Sequence, residues 1–145
     1  MDEPSDLQDL AGREDILALL EDFYGRAFAD PVLAPIFQQH MSLERHLPIV
    51  TDFWATTLLG ERSYTRKVIQ RHQQVDELSP FEPRHFERWL QLWWQAIDDH
   101  AEGRLADLAK RQGMRMAAAM CRAIVGEVPE GISELLTTSG HRVRG

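Results

Sequence analysis

The spacing of apolar residues constrains this chain more than any other feature. From Ile16 to Met120 they recur at every third or fourth position, with no convincing strand pattern anywhere. A period near 3.6 lines side chains along one face of a helix, whereas a strand needs a period of two. Ile16, Leu19, Leu20, Phe23, Tyr24 and Ala27 fall on one face of a helix predicted from about Glu14 to Ala29. Asp30-Pro31 ends it, because proline disfavours helical geometry in the residue before it. Leu33, Ile36 and Phe37 then form a short apolar turn. A second helix is predicted from about Leu43 to Leu59, closed by Gly60, with His46, Val50, Phe53 and Thr57 on one stripe. Pro48 is tolerable there only near the first turn. A shorter, weaker helical piece spans Tyr64 to His72. Pro83 is placed to open the next helix, since its missing N–H has no partner in a first turn anyway. Phe86, Trp89, Leu90, Trp93 and Ile97 continue that helix's buried face to about His100. A last long helix, from about Glu102 to Val125, carries Leu105, Leu108, Met116, Ala119 and Met120. The expectation is an all-α chain.

Its 145 residues, 43% of them hydrophobic, suit a single domain over 1–145 with a real core. Residues 1–12 read as a flexible leader and those from about 127 onward as a tail without firm pattern. A net charge of -7 argues against a surface that tracks nucleic-acid phosphates, which needs a basic excess. Cys121 is the only cysteine, which excludes intrachain disulfides, CxxC zinc clusters and covalent haem attachment through CxxCH. A reducing cytoplasm suits that usage. The acidic opening Met1-Asp2-Glu3 lacks the basic-then-apolar order of a signal peptide. No stretch approaches the roughly 18 apolar residues of a membrane span, so a soluble, cytoplasmic protein without a membrane partner is expected.

Four polar-tipped side chains interrupt this plan. His72 stands where an apolar helical stretch gives out, His46 and Tyr24 lie on apolar faces, and Trp89 occupies the buried face of the following helix. Each has an ordinary reading taken singly. A histidine at a helix end serves as a cap or surface residue, and His46 as a satisfied core histidine. A buried tyrosine reaches some polar partner with its hydroxyl, and Trp89 beside Trp93 and Trp94 is core. Taken together those readings strain, because one small helical domain would be aiming all four at its own interior.

At this point the chain resembles the truncated haemoglobins, and within them the third group. The resemblance rests on Phe23-Tyr24, then Asp30 with Leu33 and Pro35-Ile36-Phe37, then His46 followed by Phe53-Trp54. It continues through Leu58-Leu59-Gly60 with Tyr64, Arg71-His72 and Phe86-Glu87-Arg88-Trp89-Leu90, and spans about Ile16 to Ala119. It implies a two-over-two helical sandwich, a shortened globin, around haem b. His72 matches the proximal histidine, the single protein ligand to iron. Tyr24, His46 and Trp89 match the polar residues of the distal side, with Phe23 preceding Tyr24. Phe37, Phe53 and Trp54 match apolar positions that wall the haem, Phe86 joins the cofactor-binding set, and Tyr64 and Arg71 match positions near the propionates.

Such a pocket, with one histidine holding the iron and donors on the open face, is expected to bind dioxygen, nitric oxide, carbon monoxide or peroxide. Donors aimed at a ligand that gathers negative charge each contribute roughly 1.5 to 3 kcal/mol, so two of them slow release on the order of a hundredfold or more. That suits redox chemistry such as nitric oxide or peroxide detoxification, fed by a reductase, or oxygen sensing, better than transport. A haem-free helical sensor or interaction domain of globin-like fold is the alternative, although retention of His72 argues against cofactor loss. A non-haem metal site from His46 and His72 lacks the Glu-x-x-His pairs of di-iron bundles.

Overall fold

The first helix, α1 (Arg13–Ala29), buries Ile16, Leu19, Leu20, Phe23, Tyr24 and Ala27, the face its periodicity defines. These coordinates are a computed structural model, which describes residues 7–40, 42–60, 81–126 and 132. The Asp15 carboxylate accepts the backbone N–H groups of Ala11 and Gly12 and fixes the approach to α1. At the other end Asp30 adopts an extended conformation and its carboxylate accepts the N–H groups of Val32 and Leu33. Those bonds start α2 (Ala34–His40), so the segment expected as an apolar turn is a short helix. An Asx-type cap supplied what apolar spacing over so few residues could not show.

Helix α3 (Leu43–Leu59) ends at Gly60. Pro48 lies inside it, beyond the first turn, where it removes an N–H that would otherwise reach the Glu44 carbonyl. The expected stripe of His46, Val50, Phe53 and Thr57 is only half-buried. The core is met instead by Thr51, Trp54, Ala55 and Leu58, one residue round the helix. The helical piece expected over 64–72 lies outside the described residues.

Helix α4 (Pro83–His100) opens with proline in its first turn and buries His85, Phe86, Leu90, Leu92, Trp93, Ala96 and Ile97. A short connection leads to α5 (Arg104–Ile124), which packs back on α4. Of the residues expected to line α5, Met120 is buried, Leu105, Leu108 and Met116 are half-buried and Ala119 is exposed. Small residues form much of its buried face, with Ala106, Ala109, Gly113 and Ala117 along one seam beside the buried Met114 and Met120. Hydrophobicity weights the large side chains, but close helix approach selects the small ones.

The result is all-α: α1 packs on α3 and α4, α4 on α5, and α3 on α5, with α2 folded against α1. Trp93 is fully enclosed where these helices meet. Of the leader read as flexible, 7–12 are described, and there Leu10 is buried and Asp9 caps α5 by accepting the N–H groups of Leu105 and Ala106. Among the described residues no helix is long and apolar enough to cross a membrane.

Candidate functional site: a polar pair among aromatic rings

Tyr24 projects from the buried face of α1 toward the first turn of α3, and its Oη lies 2.8 Å from Nε2 of His46. The two rings meet edge to face with centroids 5.2 Å apart. His46 is held in that first turn by its backbone N–H, which donates to the Ser42 carbonyl at 2.9 Å. Burial pushes the Tyr24 phenol well above its ordinary pKa and keeps it protonated. The hydrogen bond therefore has two forms. Either Tyr24 O–H donates to a bare Nε2, or Nε2–H donates to the phenol oxygen and leaves the phenol proton for another acceptor.

Aromatic rings surround this pair. Phe23, fully buried, stands edge-on to Tyr24 at 4.9 Å and to Trp89 at 5.6 Å, bridging α1 to α4. Phe37 of α2 lies 6.0 Å from Tyr24. Trp89 stacks at 5.9 Å on Trp93, which stacks at 4.6 Å on Trp54 of α3, and Trp54 meets Phe53 edge-on at 5.2 Å. Phe86 is buried near the start of α4, where its ring neighbour is Phe81. Thus Tyr24, His46, Phe23, Phe37 and Trp89 are linked through ring contacts, and Trp54 and Phe86 belong to the same core. Tyr64, Arg71 and His72 lie outside the described residues.

The indole N–H groups separate the tryptophans into two kinds. Trp93 donates to the Ala109 carbonyl at 3.0 Å and Trp94 to the Lys110 carbonyl at 3.1 Å, both across the α4–α5 contact. The half-buried Trp89 indole has no hydrogen-bond acceptor among the described residues, and neither has the buried Trp54 indole. An indole N–H normally finds a partner when removed from water.

Two further features were missed in the sequence. Arg88, directly before Trp89, donates its Nε–H to the buried Asp30 carboxylate at 2.7 Å and ties α4 to the α1–α2 corner. Burial raises the Asp30 pKa, but the Arg88 guanidinium and the Leu33 and Val32 N–H groups outweigh that and hold it below the usual carboxylate range. Nothing in sequence links residues 58 positions apart. Gly113 is the other, and it carried a signal: a lone glycine in a strongly periodic helix, in step with Ala106, Ala109 and Ala117, marks a close helix contact.

This arrangement can be set against known proteins. Over 91 residues the chain is 32% identical to the group 3 truncated haemoglobin ctb of Campylobacter jejuni, a match covering 59% of this chain and 69% of that protein. The chain belongs to the group III truncated haemoglobins. The crystal structure of the group III truncated haemoglobin from Campylobacter jejuni superposes with a TM-score of 0.71 at 26% identity, covering 79% of this chain and 92% of that one. No family model matches the chain. As a truncated haemoglobin it is a haem globin that binds small diatomic ligands such as dioxygen.

The described residues fit such a group. A phenol and an imidazole in mutual contact, an indole N–H without an acceptor among the described residues and a wall of phenyl and indole rings make a largely apolar site with a few polar groups. Among the described residues no three His, Cys, Asp or Glu side chains cluster as metal ligands.

Proposed function

We propose that this truncated haemoglobin holds haem b through His72 and binds dioxygen tightly on the side lined by Tyr24, His46 and Trp89, for redox chemistry or sensing. The observation that carries this reading is the Tyr24–His46 hydrogen bond at 2.8 Å, partly buried beside Phe23 and Phe37, with Trp89 packed on Phe23. Haem supplies the iron that takes the diatomic ligand and exchanges electrons with it.

The protein's part is to place hydrogen-bond donors and exclude water. Phe37, Phe53 and Trp54 would wall the group, and Tyr64 and Arg71 would meet its propionates. With Nε2–H of His46 donating to the phenol oxygen, the Tyr24 proton is available to the ligand. With a bare Nε2, that proton is spent on His46. The tautomer of one imidazole thus decides whether Tyr24 serves the ligand, and a cationic His46 enforces the available form. The Trp89 indole adds a donor whose orientation does not depend on pH. Nitric oxide dioxygenation or peroxide reduction, supported by a reductase in the cytoplasm, follows from strong retention of oxygen.

Stopped-flow dioxygen release tests the donors. Losing one hydrogen bond to a charged acceptor costs about 1.5–3 kcal/mol, so Tyr24→Phe and Trp89→Phe are expected to speed release roughly tenfold to a hundredfold. Unchanged rates in both would overturn the distal assignment. His46→Leu is expected to abolish the pH dependence of release, and a retained pH profile would remove His46 from the mechanism. An absorption spectrum without a Soret band in the purified protein would turn the reading to a haem-free helical sensor or interaction domain.

A further inference from the structure

Helix α5 reaches the candidate site without contributing a side chain to it. A Cβ at Gly113 would stand 2.6 Å from Trp93 Nε1, closer still to Cδ1, and 3.6 Å from Trp89 Cζ3. The first two separations are shorter than real carbon contacts, and neither neighbour is the loose end of a flexible chain. Trp93 is fully buried, stacks on Trp54 and Trp89, and donates its N–H to Ala109 at 3.0 Å, one turn before Gly113 on the same helix. The N–H edge of the Trp93 indole is therefore seated against the α5 backbone, over the one residue of that helix that offers no side chain.

We infer that Gly113 and Trp93 form a clamp that sets the pose of the Trp89 indole, making Gly113 a positioning residue for the ligand-facing donor. The chain of contact is continuous. Gly113 fixes the height of Trp93 above α5, the Ala109 carbonyl fixes its rotation, and the stack at 5.9 Å and 21° passes that plane to Trp89. Phe23 closes the arrangement from α1, edge-on to Trp89 at 5.6 Å and to Trp93 at 5.4 Å. A methyl at 113 must lift Trp93 and tilt Trp89 with it, swinging an N–H that has no other acceptor among the described residues. A hydrogen bond weakens steeply once its angle falls below about 120°, so tilting the indole away from the ligand weakens the donor.

This inference rests on the reading of Trp89 as a ligand donor, and the experiment separates the two. Haem-loaded protein is saturated with carbon monoxide, and the C–O stretching band is recorded beside the indole N–H resonances of tryptophan-labelled protein. The set comprises wild type, Trp89→Phe, Gly113→Ala, Trp93→Phe and the control Gly25→Ala, which makes the same change in an open helical position. Expected is a band in Gly113→Ala displaced toward that of Trp89→Phe, a shifted Trp89 N–H resonance, and no displacement in Gly25→Ala. Trp93→Phe keeps a stacking ring and removes the Ala109 bond, so it is expected to move the band in the same direction. Should Gly113→Ala not fold, Trp93→Phe decides alone. If Trp89→Phe leaves the band unmoved, the donor reading falls and the clamp with it. If Trp89→Phe moves the band while Gly113→Ala or Trp93→Phe, folded, retains the wild-type band and resonance, the clamp alone is overturned.

Discussion

At the scale of single residues, the same amino acid carries opposite values in different places. Gly25 is exposed in the middle of α1, and a Cβ there would meet nothing within 4 Å. It forfeits helix propensity with no packing return, so Gly25→Ala is expected to stabilise the protein by about 0.5–1 kcal/mol in urea unfolding. Gly113 sits under Trp93, where a methyl has no room. Tryptophans divide in the same way: Trp93 is structural, its N–H already spent, and Trp93→Ala is expected to cost about 3–5 kcal/mol. Trp89, one turn earlier, keeps its N–H unspent among the described residues. Composition shows four tryptophans and cannot rank them. Their ranking comes from backbone carbonyls supplied by another helix.

At the scale of elements, two helix starts depend on side-chain contacts, one from far along the chain and one local. The Asp9 carboxylate, from before α1, accepts Leu105 N–H at 2.8 Å and Ala106 N–H at 2.9 Å at the start of α5. Gly103, at φ +143, permits that approach, since a Cβ there would lie 2.6 Å from Asp9 Cγ. Burial raises the Asp9 pKa, but the N–H donors of Leu105, Ala106 and Leu10 and the Arg104 charge outweigh it and leave the group below 3.8. Asp9→Ala is expected to cost about 1–2 kcal/mol, read by thermal unfolding at neutral pH. At α4, the Glu82 N–H donates to Nδ1 of His85 at 2.8 Å, which requires that nitrogen unprotonated. Burial, then the Arg84 charge, lower the His85 pKa below 6.5 against the opposing pull of Glu82. The unfolded chain therefore binds this proton more readily than the folded one. The stabilisation is complete above pH 6.5 and is lost as pH falls through the lower folded value. Unfolding curves of His85→Gln against wild type are expected to converge on acidification, and parallel curves would remove His85 as their cause.

At the scale of the whole molecule, the site lies where three helices converge: Tyr24 from α1, His46 from α3 and Trp89 from α4, with α5 behind Trp93. A group bound there joins elements that otherwise meet only through side chains, and anything that binds the folded state alone stabilises it by mass action. Extraction of haem is expected to lower the melting temperature, and re-addition to restore it. His72→Gly is expected to lose stable haem retention while the helical far-ultraviolet signal remains, and a normal Soret band in that variant would refute the proximal assignment.

Periodicity determined that the chain is helical, because a helix's buried face is written in its own residues at 3.6 spacing, and proline and glycine marked where α1 and α3 end and where α4 opens. The ordered fragments from Phe23-Tyr24 to Trp89-Leu90 carried the family. Only the tertiary structure decided which face of α3 meets the core, that α5 packs through Ala106, Ala109, Gly113 and Ala117 rather than through its leucines, and that Asp9, Asp30 and Ala109 have partners far along the chain. Those outcomes depend on how closely two backbones approach. That distance belongs to a pair of elements, and neither element's sequence contains it.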